Sequence, residues 1–129
     1  MASKTRFALA LILGSFFIPV HSAEVAGVKL EDRDKLADSE LTLNGAGLRK
    51  RAFFQVYAIG LYLPQKKTAA ADAVAAPGAK RIAIHMLRNV DAQTFSDALA
   101  DGIRDNHGEA EGKALEPRVK QLAAIMAEM

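Results

Sequence analysis

The possible folds of this chain are limited above all by residues 52–63, which are apolar at almost every position. One alternating set of side chains contains Ala52, Phe54, Val56, Ala58, Gly60 and Tyr62, and the other contains Phe53, Gln55, Tyr57, Ile59, Leu61 and Leu63. Successive side chains of a strand point to opposite faces, so this stretch predicts a central strand that is covered on both sides. The aromatic and β-branched residues, Gly60 within the stretch and Pro64 after it favour strand over helix.

Shorter segments before and after this stretch predict further strands. Weak alternation predicts a first strand over residues 24–30, and the charged residues 31–40 predict a turn or an exposed hairpin loop. A short strand over residues 41–43 runs into residues 44–47, whose two glycines predict a bend or a bulge. Residues 80–88 alternate again and predict a half-buried strand with one apolar face, formed by Ile82, Ile84 and Met86.

The C-terminal part of the chain changes to a helical period. Asp91 is a good N-cap for a helix with an apolar stripe, and Gly108 is a natural residue to follow its C-terminus. A last helix is predicted to start near Pro117, and the alanine-rich residues 68–76 form either a short helix or a surface linker. Strands followed by paired helices predict an α+β fold in which helices pack on an antiparallel sheet.

The first residues are predicted to be a secretory signal peptide over residues 1–22, followed by a domain over residues 23–129. Lys4 and Arg6 precede an apolar run over residues 7–20, which is too short for a comfortable membrane span. An uncleaved anchor is the alternative. We therefore expect a periplasmic or secreted protein with no stable membrane span after removal of the leader.

Composition excludes several classes of function. The leader contains two of the 17 basic residues, so the remaining chain balances its 15 acidic residues and has no basic stripe for nucleic acid. The chain contains no cysteine, which excludes disulfides and a thiol nucleophile. Its histidines are isolated and lack the spacing of metal ligands, so neither a metal nor a cofactor is predicted.

Two segments carry a resemblance to a known family. Residues 43–49 read LNGAGLR, and residues 56–63 read VYAIGLYL. This pair resembles the signature of the chalcone isomerase-like family, in which a glycine-rich bend ends in an arginine before the next strand. The resemblance extends over roughly residues 26–129 and implies a chalcone-isomerase-like fold, an open-faced β-sandwich. Because the family normally continues with more strands, the chain is expected to be a partial member that lacks the C-terminal strands.

The resemblance also implies a function. In true chalcone isomerases a threonine occupies the position of Tyr57, whereas this chain is similar to the non-catalytic, fatty-acid-binding branch. By that likeness, Arg49 and Tyr57 hold the carboxylate of a small amphiphilic ligand, and no catalytic residue is assigned. The apolar tail is then expected to contact Phe53, Ile59 and Leu61. The alternatives are an intramolecular lyase of the chalcone isomerase type and a ligand-free interaction domain.

The physical basis of the predicted clamp is the shape and charge of its two side chains. A guanidinium presents a planar fork that engages a carboxylate through two charge-assisted hydrogen bonds. On one straight strand, Arg49 and Tyr57 would lie roughly 26 Å apart, so the chain must fold back between them, and Lys50 and Arg51 are the predicted turn. In the competing interpretation Arg49 is a solvated cation, Tyr57 is a core residue and the apolar residues only fill the core.

Overall fold

The computed structural model describes residues 22–129, and the predicted signal peptide lies outside this range except for Ser22. The strands are β1 (Ala23–Val25), β2 (Val28–Leu30), β3 (Arg33–Leu36), β4 (Ser39–Arg51), β5 (Phe54–Leu63) and β6 (Arg81–Met86). The helices are α1 (Ala70–Ala75), α2 (Ala92–Asn106) and α3 (Glu109–Ala127). The predicted α+β class is confirmed.

The main sheet has four antiparallel strands in the order β3-β4-β5-β6, and β1 and β2 form a separate hairpin. The predicted central strand is an interior strand, β5, although it starts at Phe54 rather than at Ala52. The prediction that both of its faces are covered is wrong, because Tyr57, Ile59 and Leu61 on the second face are only half-buried. The sheet curls strongly, as shown by the ion pair of 3.1 Å between Arg81 on its last strand and Asp34 on its first strand.

One face of the curled sheet, which we call the core face, holds most of the buried side chains. Leu41 and Leu43 of β4 pack there against Tyr62 of β5 and against Leu30 from the β1–β2 hairpin. A Cβ on Gly60 would come within 3.2 Å of the Leu43 side chain, which explains why this strand carries a glycine at its centre.

The buried phenol of Tyr62 has a hydrogen-bond partner. Its hydroxyl donates to the carbonyl oxygen of Glu31 at 2.9 Å. Burial raises the pKa of this phenol, and the nearby Asp34 carboxylate raises it further. The hydroxyl therefore stays protonated and keeps donating to the loop that leads from β2 to β3.

Several strand predictions for residues 24–51 are wrong in detail. Residues 24–30 form a hairpin rather than one strand, because Ala26 and Gly27 take positive φ angles and close a tight turn. The charged residues 31–40 contain the edge strand β3, whose charges suit an exposed edge. The predicted short strand is part of the 13-residue β4.

The predicted bend or bulge at the glycine-rich segment is confirmed as a bulge. The register between β4 and β5 shifts between Leu43 and Gly45, which leaves Asn44 without a partner in the ladder. The side-chain oxygen of Asn44 accepts a hydrogen bond of 2.6 Å from the backbone N–H of Lys67. The bulge thus also fixes the loop that precedes α1.

The helices confirm both predicted ends of α2 and correct the predicted start of the last helix. Asp91 caps α2 by accepting from the backbone N–H of Thr94 at 2.8 Å, and this bond lowers the pKa of its carboxyl. Helix α2 ends at Asn106 with His107 as its C-cap, so Gly108 follows the helix as predicted. With a φ of −65°, Gly108 also serves as the N-cap of α3. The last helix begins at Glu109, and Pro117 lies inside it. Acidic residues in the first turn favour that earlier start. The helix continues through Pro117 although the proline cannot donate a backbone hydrogen bond.

The turn between β4 and β5 carries backbone strain at Ala52, whose φ is +52°. We expect Ala52→Gly to raise the free energy of unfolding by about 0.5–1 kcal/mol, because the left-handed conformation penalises a Cβ more than glycine loses in chain entropy. The measurement is urea unfolding followed by circular dichroism.

Ala46→Gly is the matched control, because Ala46 lies in the regular part of β4. This variant should lose about 0.5–1 kcal/mol. Equal losses in the two glycine variants would show that the turn is not strained.

Candidate functional site

Arg49 and Tyr57 are direct partners in the ladder between β4 and β5. The chain folds back between them as required, but the turn consists of Ala52 and Phe53, whereas Lys50 and Arg51 still belong to β4. Side chains of directly opposed residues leave the sheet on the same face, with their Cβ atoms about 4.5–5.5 Å apart. The guanidinium and the phenol therefore start side by side on one surface, which we call the site face.

Both side chains are available to a ligand. Arg49 is exposed and Tyr57 is half-buried. Within residues 22–129, the Arg49 guanidinium forms no ion pair, and neither residue takes part in a side-chain hydrogen bond. The ring of Phe95 on α2 packs edge-on against the Tyr57 ring, with 6.0 Å between the centroids. This contact limits the orientation of the phenol and leaves its hydroxyl free to donate.

A strip without side chains leads away from Arg49 along the same strand. Gly47 and Gly45 share the parity of Arg49 and lie opposite Ile59 and Leu61 of β5. A Cβ on Gly47 would meet only the Ile59 side chain, at 3.8 Å, and a Cβ on Gly45 would meet nothing within 4 Å. This strip, the glycine lane, is about 13 Å long at 3.3 Å per residue and has apolar side chains along one edge.

The other neighbour of β5 extends the apolar surface. Ile84 and Ile82 of β6 lie opposite Ile59 and Leu61, and they are 38% and 62% exposed. The prediction of a half-buried strand for this segment is wrong about the face that is covered, since Ala83 is the β6 residue that packs against the core. Helix α1 covers only the Leu63 end of the site face, and the Phe95 contact of α2 lies at the Tyr57 end.

The structure separates the five predicted ligand residues into two groups. Arg49, Tyr57, Ile59 and Leu61 lie together on the site face. Phe53 lies apart from them in the hairpin turn, where it is 96% exposed. The reason is that the turn takes Phe53 out of the strand alternation on which its assignment to the tail depended.

Sequence reasoning missed Ile82 and Ile84 as possible tail contacts. Their alternation was visible in the sequence, but only the pairing of β5 with β6 places them beside Ile59 and Leu61. The glycine lane was also missed, because two close glycines predict a bend or a bulge and do not reveal an open strip within a strand.

Comparison with protein families agrees with the motif and the fold. A family model with the description "Chalcone isomerase-like" matches residues 22–129. The chain belongs to the chalcone isomerase-like family. Searches among curated proteins and among solved structures find no match. The fatty-acid-binding branch and the missing C-terminal strands stay predictions.

Other features of this chalcone isomerase-like domain lie away from the site face. A cleft of about 530 Å³ between α2 and α3 is lined by residues of these two helices and their connection, among them Ile103, His107 and Val119. The part of the chain that the structure describes contains no cluster of three side chains suited to a metal ion. Among residues 22–129, no helix is long and apolar enough to cross a membrane.

Proposed function

We propose that this chalcone isomerase-like protein binds a fatty acid or a similar amphiphilic carboxylate outside the cytoplasm and catalyses no reaction on it. The observation that supports this proposal most is the direct opposition of Arg49 and Tyr57 across two paired strands. It places a cation and a hydroxyl donor at one point of a surface that is otherwise apolar.

The head group binds through charge and hydrogen bonds. The guanidinium of Arg49 offers two parallel N–H donors to a carboxylate, and no described acidic side chain pairs with it. The Tyr57 hydroxyl donates a further hydrogen bond to the same carboxylate. The Phe95 ring reduces the access of water to one side of Tyr57, which strengthens these bonds.

The tail binds in the glycine lane. A linear acyl chain extends from Arg49 past Gly47 and Gly45, where no side chain stands in its path. Ile59 and Leu61 contact it along its length, and the exposed Ile82 and Ile84 add apolar surface beyond them. Because the lane is open to solvent, the tail is only partly buried, and binding strength is expected to rise with chain length.

The head-group assignment is tested by replacing Arg49 with alanine and measuring dodecanoate binding by native mass spectrometry and calorimetry. We expect binding to weaken about 10- to 100-fold, because a charge-assisted hydrogen bond contributes about 1.5–3 kcal/mol. Tyr57→Phe, which loses a neutral donor, is expected to weaken binding about fivefold.

Lys50→Ala is the matched control, since Lys50 is the next cation along the strand and pairs with Gln55 rather than with Tyr57. It should bind dodecanoate within about twofold of the unchanged protein. An unchanged affinity of Arg49→Ala for dodecanoate would contradict the assignment of Arg49 and Tyr57 to the head group. Flavanone formation from a chalcone above the spontaneous rate, lost in Arg49→Ala, would favour the lyase alternative instead.

A further inference from the structure

The tip of the β4–β5 hairpin exposes two large aromatic rings. We define the hairpin tip as residues 50–55 together with Arg88, which lies beside them. Phe53 in the turn is 96% exposed, and Phe54 at the start of β5 is 54% exposed. Neither ring contributes to the core clusters among residues 22–129. Such rings at a narrow apex have an apolar surface that water solvates poorly.

Positive charge surrounds these rings. Lys50 and Arg51 are exposed at the end of β4, and the Arg88 guanidinium lies 4.1 Å from the centre of the Phe54 ring. The sequence has no acidic residue between Glu40 and Asp72. The nearest acid to Arg88 in the sequence, Asp91, is engaged by Thr94 as the cap of α2. The hairpin tip is therefore a locally cationic end of a domain whose charges balance overall.

We propose that the hairpin tip docks on an anionic lipid bilayer, with Phe53 entering the interface and the cations binding lipid phosphates. An apolar ring at the apex with cations just behind it matches the order of layers that a bilayer presents, an apolar interior below charged head groups. An open cleft of about 720 Å³ beside the tip is lined by Phe53, Phe54, Gln55, Leu87, Arg88 and Asn89 and offers room for a head group.

The shape of the tip favours a bilayer over a nucleic acid. Its cations cluster around a two-residue turn, whereas a nucleic-acid surface needs a basic face extended along several phosphates. The exposed phenylalanines favour the apolar interface of a bilayer, which a nucleic-acid backbone does not offer. This inference does not depend on the proposed carboxylate ligand, because it uses neither Arg49 nor Tyr57.

The experiment uses a fluorescent reporter at the tip of the full chain. The protein has no cysteine, so Gln55→Cys accepts an environment-sensitive nitrobenzoxadiazole label at one position. Asp105→Cys, on the exposed face of α2, is the matched control position. We expect the Gln55 label to brighten and shift to the blue with vesicles of equal parts phosphatidylcholine and phosphatidylglycerol, and the Asp105 label to stay unchanged.

Variants of the labelled protein separate the contribution of the apolar ring from that of the cations. Phe53→Ser is expected to weaken vesicle binding about tenfold, and Lys50→Gln with Arg51→Gln about 25-fold, at about fivefold for each basic residue. Raising the salt concentration should weaken binding in the unchanged protein and have less effect in the charge variant. Circular dichroism of each variant checks that the fold is retained.

Three results would overturn the proposal. The first is a response of the Gln55 label to pure phosphatidylcholine as strong as to the anionic vesicles. The second is an equal response of the labels at Gln55 and Asp105, which would show contact through another part of the chain. The third is a response to duplex DNA or to soluble glycerophosphate that matches the response to anionic vesicles.

Discussion

Replacing Gly47 with valine is expected to weaken dodecanoate binding about 10- to 100-fold while hexanoate binding changes little, because each buried methylene contributes up to about 0.8 kcal/mol and only the longer tail must pass the blocked lane. The variant should fold normally. Gly47 lies in regular strand, and a Cβ there meets only Ile59 at an ordinary contact distance of 3.8 Å. Valine is also a favoured strand residue.

The dependence of affinity on chain length separates this effect from damage to the head-group site. The unchanged protein should bind fatty acids more tightly as the chain grows, and Gly47→Val should flatten that dependence. Ala46→Val is the matched control, because Ala46 neighbours Gly47 in sequence but points to the opposite face of the sheet. If Gly47→Val keeps the dependence on chain length, the tail does not bind in the glycine lane. The head-group assignment to Arg49 and Tyr57 would not be affected by that result.

Replacing Leu41 with alanine is expected to lower the free energy of unfolding by about 2–5 kcal/mol, because it removes buried methyl groups and leaves a cavity. Leu41 is 1% exposed and packs with Leu43 and Tyr62 on the core face. A loss of this size is a large part of the stability of a small domain. The measurement is urea unfolding of both proteins. If the free energy of unfolding falls with urea at the same slope in both, the shift in midpoint gives the loss of stability.

Ile82→Ala is the control for the same chemistry on the site face. Ile82 is 62% exposed, so its truncation should change the free energy of unfolding by less than about 1 kcal/mol. If Leu41→Ala does not fold at all, Leu41→Val at about 1 kcal/mol keeps the comparison measurable. A larger loss for Ile82→Ala than for Leu41→Ala would mean that the two faces of the sheet are assigned the wrong way round.

The sequence predicted the parts of the fold that depend on local patterns. The two-sided apolar stretch identified the interior strand β5, and Asp91 identified the start of α2. Helix boundaries set by competing signals were less predictable. Proline is common in the first turn of a helix, which made Pro117 a plausible start. The acidic residues near Glu109 and the cap at Gly108 nevertheless start α3 earlier. The β1–β2 turn was missed because Ala26 adopts a positive φ, which is uncommon for alanine.

The candidate site was predictable only in part. The need for a turn between Arg49 and Tyr57 follows from their separation along the chain. Their equal parity does not place them on one face, because across the two-residue turn Arg49 would face Val56. The register shift between Arg49 and Lys50 leaves Val56 unpaired and brings Arg49 opposite Tyr57.

The position of that turn was not predictable, because neither Ala52 nor Phe53 is a typical turn residue. That shift places Phe53 outside the site. The contribution of Ile82 depends on pairing between distant segments, which alternation within one segment does not reveal.

Arg49, Tyr57 and the glycine lane belong to one hairpin formed by the consecutive strands β4 and β5. Contacts between neighbouring segments close early and at little entropic cost. The proposed clamp and lane therefore come from a single contiguous stretch of the chain, although Ile82, Ile84 and Phe95 flank them from other elements. Helix α3, which has no fully buried side chain, acts on this stretch only indirectly, through α2 and the Phe95 contact with Tyr57.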